Sequence, residues 1–246
     1  MSRSSALRRE PRPAGPWEHV EPLDSRAPGR VSTRSSVRLW TARAGGRLSA
    51  RAPASSMTLA GVALRADLSC LFGALLTAWT FASGFLPETD PGRGATAYWT
   101  AGAIGALCVM ASLLLHELGH AIAARRAGLG VARITLSFVG GTSEIVGVIR
   151  YARDEAMIAA SGPLASFAVM VTAAIAHVVL VETVGPGLPA TVAALVAVAN
   201  LALVVLNAVP GLPLDGGRVL RAALWAISGR QEAATRVAAV AGRRFG

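Results

Sequence analysis

Long apolar stretches separated by short charged segments dominate the chain from Leu68 onward. No charged residue interrupts LSCLFGALLTAWTFASGFL, Leu68 to Leu86. As a helix this run would be about 28 Å long, enough to cross the hydrocarbon core of a bilayer. Tyr98 to Ala124, Ala156 to Val181 and Ala190 to Val209 are each long enough for the same argument. The pattern predicts an α-helical polytopic membrane protein, set in a lipid bilayer, with at least four transmembrane helices. Between the second and third spans, ITLSFVGGTSEIVGVIRY alternates in part and is rich in β-branched residues. It reads as a short β-hairpin after the second helix, with its turn expected at Gly140 and Gly141.

Residues 1–56 break the pattern. They are rich in Arg, Ser, Pro, Gly and Ala, and hold no apolar run longer than a few residues. Such a segment cannot bury enough surface to fold alone. The domain reading is therefore a disordered tail, or a mis-assigned start with Met57 as the true first residue, followed by a membrane core over 57–246. No signal-peptide apolar region precedes Met57, and the acids Glu10, Glu18, Glu21 and Asp24 speak against a transit peptide.

Composition sharpens the class. The chain is 53% hydrophobic and only 15% charged, with a mean hydropathy of +0.50, values uncommon in soluble domains and common in multi-spanning proteins. A formal charge of +10 would suggest a nucleic-acid partner if it lay on one folded face. It does not, because 11 of the 24 basic residues, all arginine, fall in residues 1–56. Most of the others sit at the ends of apolar stretches, so no nucleic-acid partner is expected. Arg65 precedes the first span, Arg125, Arg126, Arg133, Arg150 and Arg153 lie between the second and third, and Arg218 and Arg221 follow the fourth. The positive-inside bias places these three segments in the cytoplasm. Cys70 and Cys108 each lie inside an apolar run and read as small core residues rather than a disulfide.

The candidate chemistry sits in the second span, in LLLHELGHAIAARR. At about 100° per residue, His116 and His120 fall on one helix face and both imidazoles can reach a single Zn²⁺, with Glu117 beside them to hold the attacking water. Ionisable groups are costly inside a span, so their presence there is by default a functional hypothesis. His116 lies roughly 12 Å along the helix from Ala124, which puts the metal within the membrane, nearer the cytoplasm. Two imidazoles leave a catalytic zinc one protein ligand short. The fourth span ends in NAVPGLPLDGGRVLR, where Asp215 is the only acid between Glu182 and Glu232 and lies at the same membrane depth as His120. Pro210, Gly211, Pro213, Gly216 and Gly217 are expected to break the helix there, and irregular backbone at membrane depth must line a cavity or be buried in protein.

HELGH in a span, FVGG after it, GPLASF in the next span and NAVPGLPLDGG at the end of a later one together resemble the site-2 protease family of intramembrane metalloproteases, peptidase family M50. The likeness runs from about Met57 to Gly242 and is nearest in type to the bacterial branch that usually carries a pair of CBS domains. It implies one zinc per chain held by His116, His120 and Asp215, with Glu117 as the catalytic glutamate. It further implies Asn207 as a polar group near the scissile carbonyl, the other reading being an asparagine that bonds between helices.

On this resemblance the protein is expected to be a zinc metalloprotease of the plasma membrane (the bacterial inner membrane), its site toward the cytoplasmic side, cleaving single-pass transmembrane or membrane-proximal proteins. Its oligomeric state is left open. Zinc would polarise a water and the substrate carbonyl, and Glu117 would shuttle the proton. An extended substrate could add to the edge of the hairpin. The competing readings are a catalytically inactive relative that only binds membrane partners, and a metal-handling membrane protein. Gly162, Pro163, Ala165 and Ser166 read as helix packing near the site, Glu144 as a solvated acid, and His177 and Asn200 as satisfied core residues. QEAATRVAAVAG reads as the approach to a further span, and the chain is expected to be truncated at its C-terminus.

Overall fold

The computed structural model describes residues 57–59, 62–137 and 140–245. The expectation of a disordered tail over 1–56 lies outside the described residues. The described residues all fall in one compact unit. Its elements run β1 (Met57–Leu59), β2 (Val62–Ala66), α1 (Leu68–Thr80), α2 (Leu86–Thr89), α3 (Ala95–Arg126), β3 (Gly130–Ser137), β4 (Gly140–Val146), α4 (Ala152–Val184), α5 (Leu188–Asn207), α6 (Asp215–Ser228) and α7 (Gln231–Phe245). A π-helical turn, Phe81–Phe85, joins α1 to α2.

Among the described residues, four helical segments are long and apolar enough to cross a membrane: Leu68–Thr89, Ala95–Arg126, Ala152–Val184 and Leu188–Asn207. They extend the first three predicted spans by a few residues, and the fourth both begins and ends two residues earlier than expected, with local chemistry setting the ends. Asp67 caps α1, its Oδ1 accepting from the Ser69 amide at 3.3 Å. Arg125 and Arg126 close α3 and Asp154 and Glu155 open α4, each with the sign that suits the helix dipole. Only 6% of the most apolar stretch of α4 is buried within the protein. Leu164, Phe167, Ile175 and Val178 stand exposed along it, and an apolar surface of that extent needs lipid to cover it.

Two clusters hold the spans together. At the far end from the site, Phe81, Ala82 and Leu86 pack on Tyr98 and Ala101 of α3, with Leu188, Val192 and Leu195 of α5 against them. A methyl on Gly102 would stand 2.7 Å from the Ala78 carbonyl oxygen, so this glycine lets the first two spans approach closely. At the near end, Val62, Ile134 and Leu136 of the sheet pack on Leu113 and Ala121 of α3. Cys70 belongs to this second cluster, its Sγ 3.8 Å from Met110 Sδ. Cys108 is exposed on the outside of α3, not in the core as expected from sequence.

The hairpin is present but belongs to a larger sheet. Four strands lie in the order β1-β2-β3-β4. β1 and β2 are antiparallel, β2 runs parallel to β3, and β3 and β4 are antiparallel. The β2 to β3 connection contains the first two spans, a crossover of the length that parallel pairing requires. Gly140 and Gly141 are not the turn: they open β4 and pair with Ser137 and Leu136. The role of Gly141 is set by what lies beneath it.

Candidate metal centre

His116 and His120, one turn apart on α3, are both buried, and Asp215, the first residue of α6, reaches them from across the bundle. Asp215 Oδ2 lies 3.2 Å from His116 Nε2 and 3.1 Å from His120 Nε2, and the two Nε2 atoms are 3.2 Å apart. The three side chains could hold one metal ion. Their outer contacts support that reading. His120 Nδ1 is 2.7 Å from the Ile158 carbonyl oxygen. A carbonyl only accepts, so in the neutral ring the proton is on Nδ1 and Nε2 turns a lone pair inward. His116 Nδ1 meets the Ser166 hydroxyl at 2.9 Å. Two inward nitrogens and a carboxylate oxygen facing one another want a cation between them, and the partners on Nδ1 fix the ring orientation.

The chain is shaped to make room for this cluster. Gly162 of α4 faces both rings: a methyl there would stand 2.7 Å from His116 Nε2 and closer still to His120 Nε2. Pro163 lacks the N–H that would bond the Ala159 carbonyl. Beside it, the Ile158 carbonyl accepts from Ser161 Oγ at 2.7 Å as well as from His120. Ser166, expected only to pack, is fully buried with its hydroxyl on His116. Ser166→Ala is expected to weaken zinc binding by about tenfold with the fold intact, the low end of the effect of losing a partner that orients a ligand. Competition with a chromophoric chelator measures it.

Glu117 lies beside the cluster, 4% exposed. Its Oε2 accepts from Ser143 Oγ at 2.7 Å, and the same hydroxyl lies 3.1 Å from the Glu117 carbonyl oxygen. No local signal marks Ser143, because its meeting with Glu117 depends on how β4 lies across α3. Gly141 runs directly over the carboxylate, where a methyl would stand 2.6 Å from both Cδ and Oε1. Gly141→Ala is expected to displace Glu117 and lower turnover while zinc stays bound, a split that metal analysis and kinetics on one preparation resolve.

The loop after α5 delivers Asp215. The helix ends at Asn207, and Pro210, Gly211 and Pro213 lie in the break as expected. Gly216 and Gly217 do not break it: both are inside the first turn of α6. A methyl on Gly216 would stand 2.5 Å from the carbonyl oxygens of Ala208 and Val209, so these glycines let the loop fold back on the helix. α7 closes over it from the other side. Ala234 and Ala238 are buried, the Leu212 amide bonds the Ala238 carbonyl at 3.3 Å, and Gly242 packs on Leu212. This segment, Gln231–Phe245, is an amphipathic helix that braces the ligand loop. Burial alone would raise the Asp215 carboxyl, but in the metal-free site the His116 and His120 rings, when they carry a proton on Nε2, outweigh it by hydrogen bonds and charge and hold the group down at about 2. It is therefore ionised, and able to face a cation, across the neutral range.

His116, Glu117, His120, Asn207 and Asp215 line one cavity of about 560 Å³, with Gly140 to Ser143 of β4 on one wall and Arg218 on another. Asn207 donates from Nδ2 to the Leu203 carbonyl at 3.0 Å within its own helix. The remaining sequence candidates lie elsewhere. Glu144 is exposed and paired with Arg133 at 3.0 Å, His177 bonds the Ala190 carbonyl at 2.8 Å, and Asn200 is buried with its amide on the Val196 carbonyl.

Comparison with known proteins agrees with this architecture. The family model described as Peptidase family M50 matches residues 104–192 and 181–244. The chain is 40% identical over 185 residues to the putative zinc metalloprotease Rip3 of Mycobacterium tuberculosis, covering 75% of this chain and 47% of that protein. It is 35% identical over 148 residues to the putative zinc metalloprotease sll0528 of Synechocystis, covering 60% and 38%. Among solved structures, the site-2 protease from Methanocaldococcus jannaschii superposes with a TM-score of 0.51 at 24% identity, over 74% of this chain and 76% of that one, a likeness of fold. The chain spans about half the length of Rip3. With the family model covering more than half of it and four membrane-length helices around the site, the chain is a membrane protein that belongs to peptidase family M50.

Proposed function

We propose that residues 57–246 form the catalytic core of an intramembrane zinc metalloendopeptidase that hydrolyses peptide bonds of single-pass transmembrane or membrane-proximal proteins. One observation carries this reading: two inward imidazole nitrogens, a carboxylate oxygen and a separate buried glutamate share one cavity. His116, His120 and Asp215 would hold zinc, and bound zinc supplies Lewis acidity for a water and a peptide carbonyl.

The remaining chemistry belongs to the chain's own side chains. Glu117, oriented by Ser143, accepts the proton of the attacking water and returns it to the leaving amine. Asn207 lines the same cavity, and its amide, once turned from Leu203, would bond the oxyanion. No covalent intermediate is needed. β4 is the end strand of the sheet and borders the cavity, so an extended substrate segment can pair with it and present its backbone to Glu117. A transmembrane helix must first unwind there, because its own hydrogen bonds hide its backbone. Substrates with Gly or Pro near the cleaved bond should therefore be cut faster. Arg125 and Arg126 at the end of α3, and Arg218 and Arg221 after the fourth span, support a plasma-membrane protein with its site toward the cytoplasm.

The test uses purified protein in detergent with a single-pass membrane substrate. Dialysis against a chelator is expected to abolish cleavage and one equivalent of zinc to restore it. Cleavage that continues at full rate in the zinc-free protein would refute the proposal.

A further inference from the structure

The helix that carries Asp215 also carries two arginines, and both turn toward a third acid that the proposed chemistry does not use. Glu155, in the first turn of α4, is 0% exposed. Its Oε1 accepts from Arg218 Nε at 3.3 Å and also from Arg221 Nη2. Its Oε2 is buried without a partner, as is Arg221 Nε. A carboxylate with half of its acceptors empty is a costly thing to bury for packing alone. The charges show what it does. Two half-buried guanidinium groups against one carboxylate leave one positive charge in excess, and Arg218 Nη1 stands 3.8 Å from Asp215 Oδ1. Arg218 and Asp215 are three residues apart on one helix, the spacing at which such side chains meet. Arg218 also lines the metal cavity.

Arginine and a metal ion are rivals for the same carboxylate, since a fork of N–H donors fits both oxygens of an acid. We propose that Glu155 acts as a decoy carboxylate: it holds Arg218 away from Asp215 and so keeps Asp215 free to bind metal. Glu155 is thus a positioning residue for the metal centre, acting through Arg218 from a separate helix. The inference rests on the reading of His116, His120 and Asp215 as metal ligands.

The experiment measures the zinc affinity of the full chain in detergent by competition with a chromophoric chelator, with circular dichroism and thermal melting to confirm folding. Glu155→Gln releases Arg218 onto Asp215 and is expected to weaken zinc binding by about 10- to 100-fold. Arg218→Gln removes the rival and is expected to bind at least as tightly as the original chain. The double variant E155Q/R218Q is expected to recover to within about threefold of it, a rescue that a merely structural role for the ion pairs would not give. Zinc affinity unchanged in Glu155→Gln, or a double variant no tighter than Glu155→Gln, overturns the proposal. If Glu155→Gln does not fold, Arg218→Gln decides: affinity below that of the original chain would mean that Arg218 supports Asp215 rather than competing for it. An original chain that binds no zinc would instead refute the metal site itself.

Discussion

Glu117→Gln is expected to keep its zinc and to lose about 10²- to 10⁴-fold in kcat on a single-pass membrane substrate, the range a positioned general base contributes. The amide has nearly the volume of the carboxylate and can still meet the Ser143 hydroxyl, which lies 2.7 Å from Glu117 Oε2, so packing around β4 should be kept. It cannot take a proton from water. Because the metal ligands His116, His120 and Asp215 are separate side chains, zinc content should match the original chain. This separation of metal content from turnover is what distinguishes a base from a ligand. Full-rate cleavage by the zinc-loaded variant would remove Glu117 from the chemistry.

The second large effect comes from a residue that makes no hydrogen bond through a side chain. Gly162→Ala places a methyl 2.7 Å from His116 Nε2 and closer to His120 Nε2, in the space where the three ligand atoms converge. Zinc affinity is expected to fall by about 10²-fold or more, at least the upper range seen when a ligand's orienting partner is lost. The helix itself gains, since alanine is the better helix former. A stable fold with a lost metal is the signature, read by melting temperature and zinc titration together. Gly84→Ala is the control, because nothing lies within 4 Å of a methyl built there. It should bind zinc as the original chain does.

Much of this was legible in the sequence because it is local. The long apolar runs that became four spans, the four-residue spacing of His116 and His120, and Asp215 as a lone acid beside proline and glycine are all visible without a partner segment. What escaped is non-local. β2 is five residues long, contains Arg65, and earns its place by pairing with β3 some seventy residues later, across two spans. Ser166 and Gly162 look like ordinary small residues of a packed helix, and only the approach of α3 to α4 shows one bonding a ligand and the other clearing its space. Glu155 looks like a favourable acid at a helix start, a role it also fills, and its pairing with Arg218 and Arg221 depends on where α6 docks. The expected turn at Gly140 and Gly141 failed for a related reason. Gly141 is needed for close approach to Glu117, so its signal was one of contact rather than of chain reversal.

The metal centre is built from two separated segments, and metal analysis of three proteins tests it directly. The full chain, His120→Ala and Asp215→Ala would each be loaded with zinc, dialysed against a weak chelator and assayed for zinc per chain. The split site predicts about one zinc retained by the original chain, in keeping with tight three-ligand coordination, and little in either variant. Equal zinc in all three proteins, or retention in Asp215→Ala alone, would contradict it.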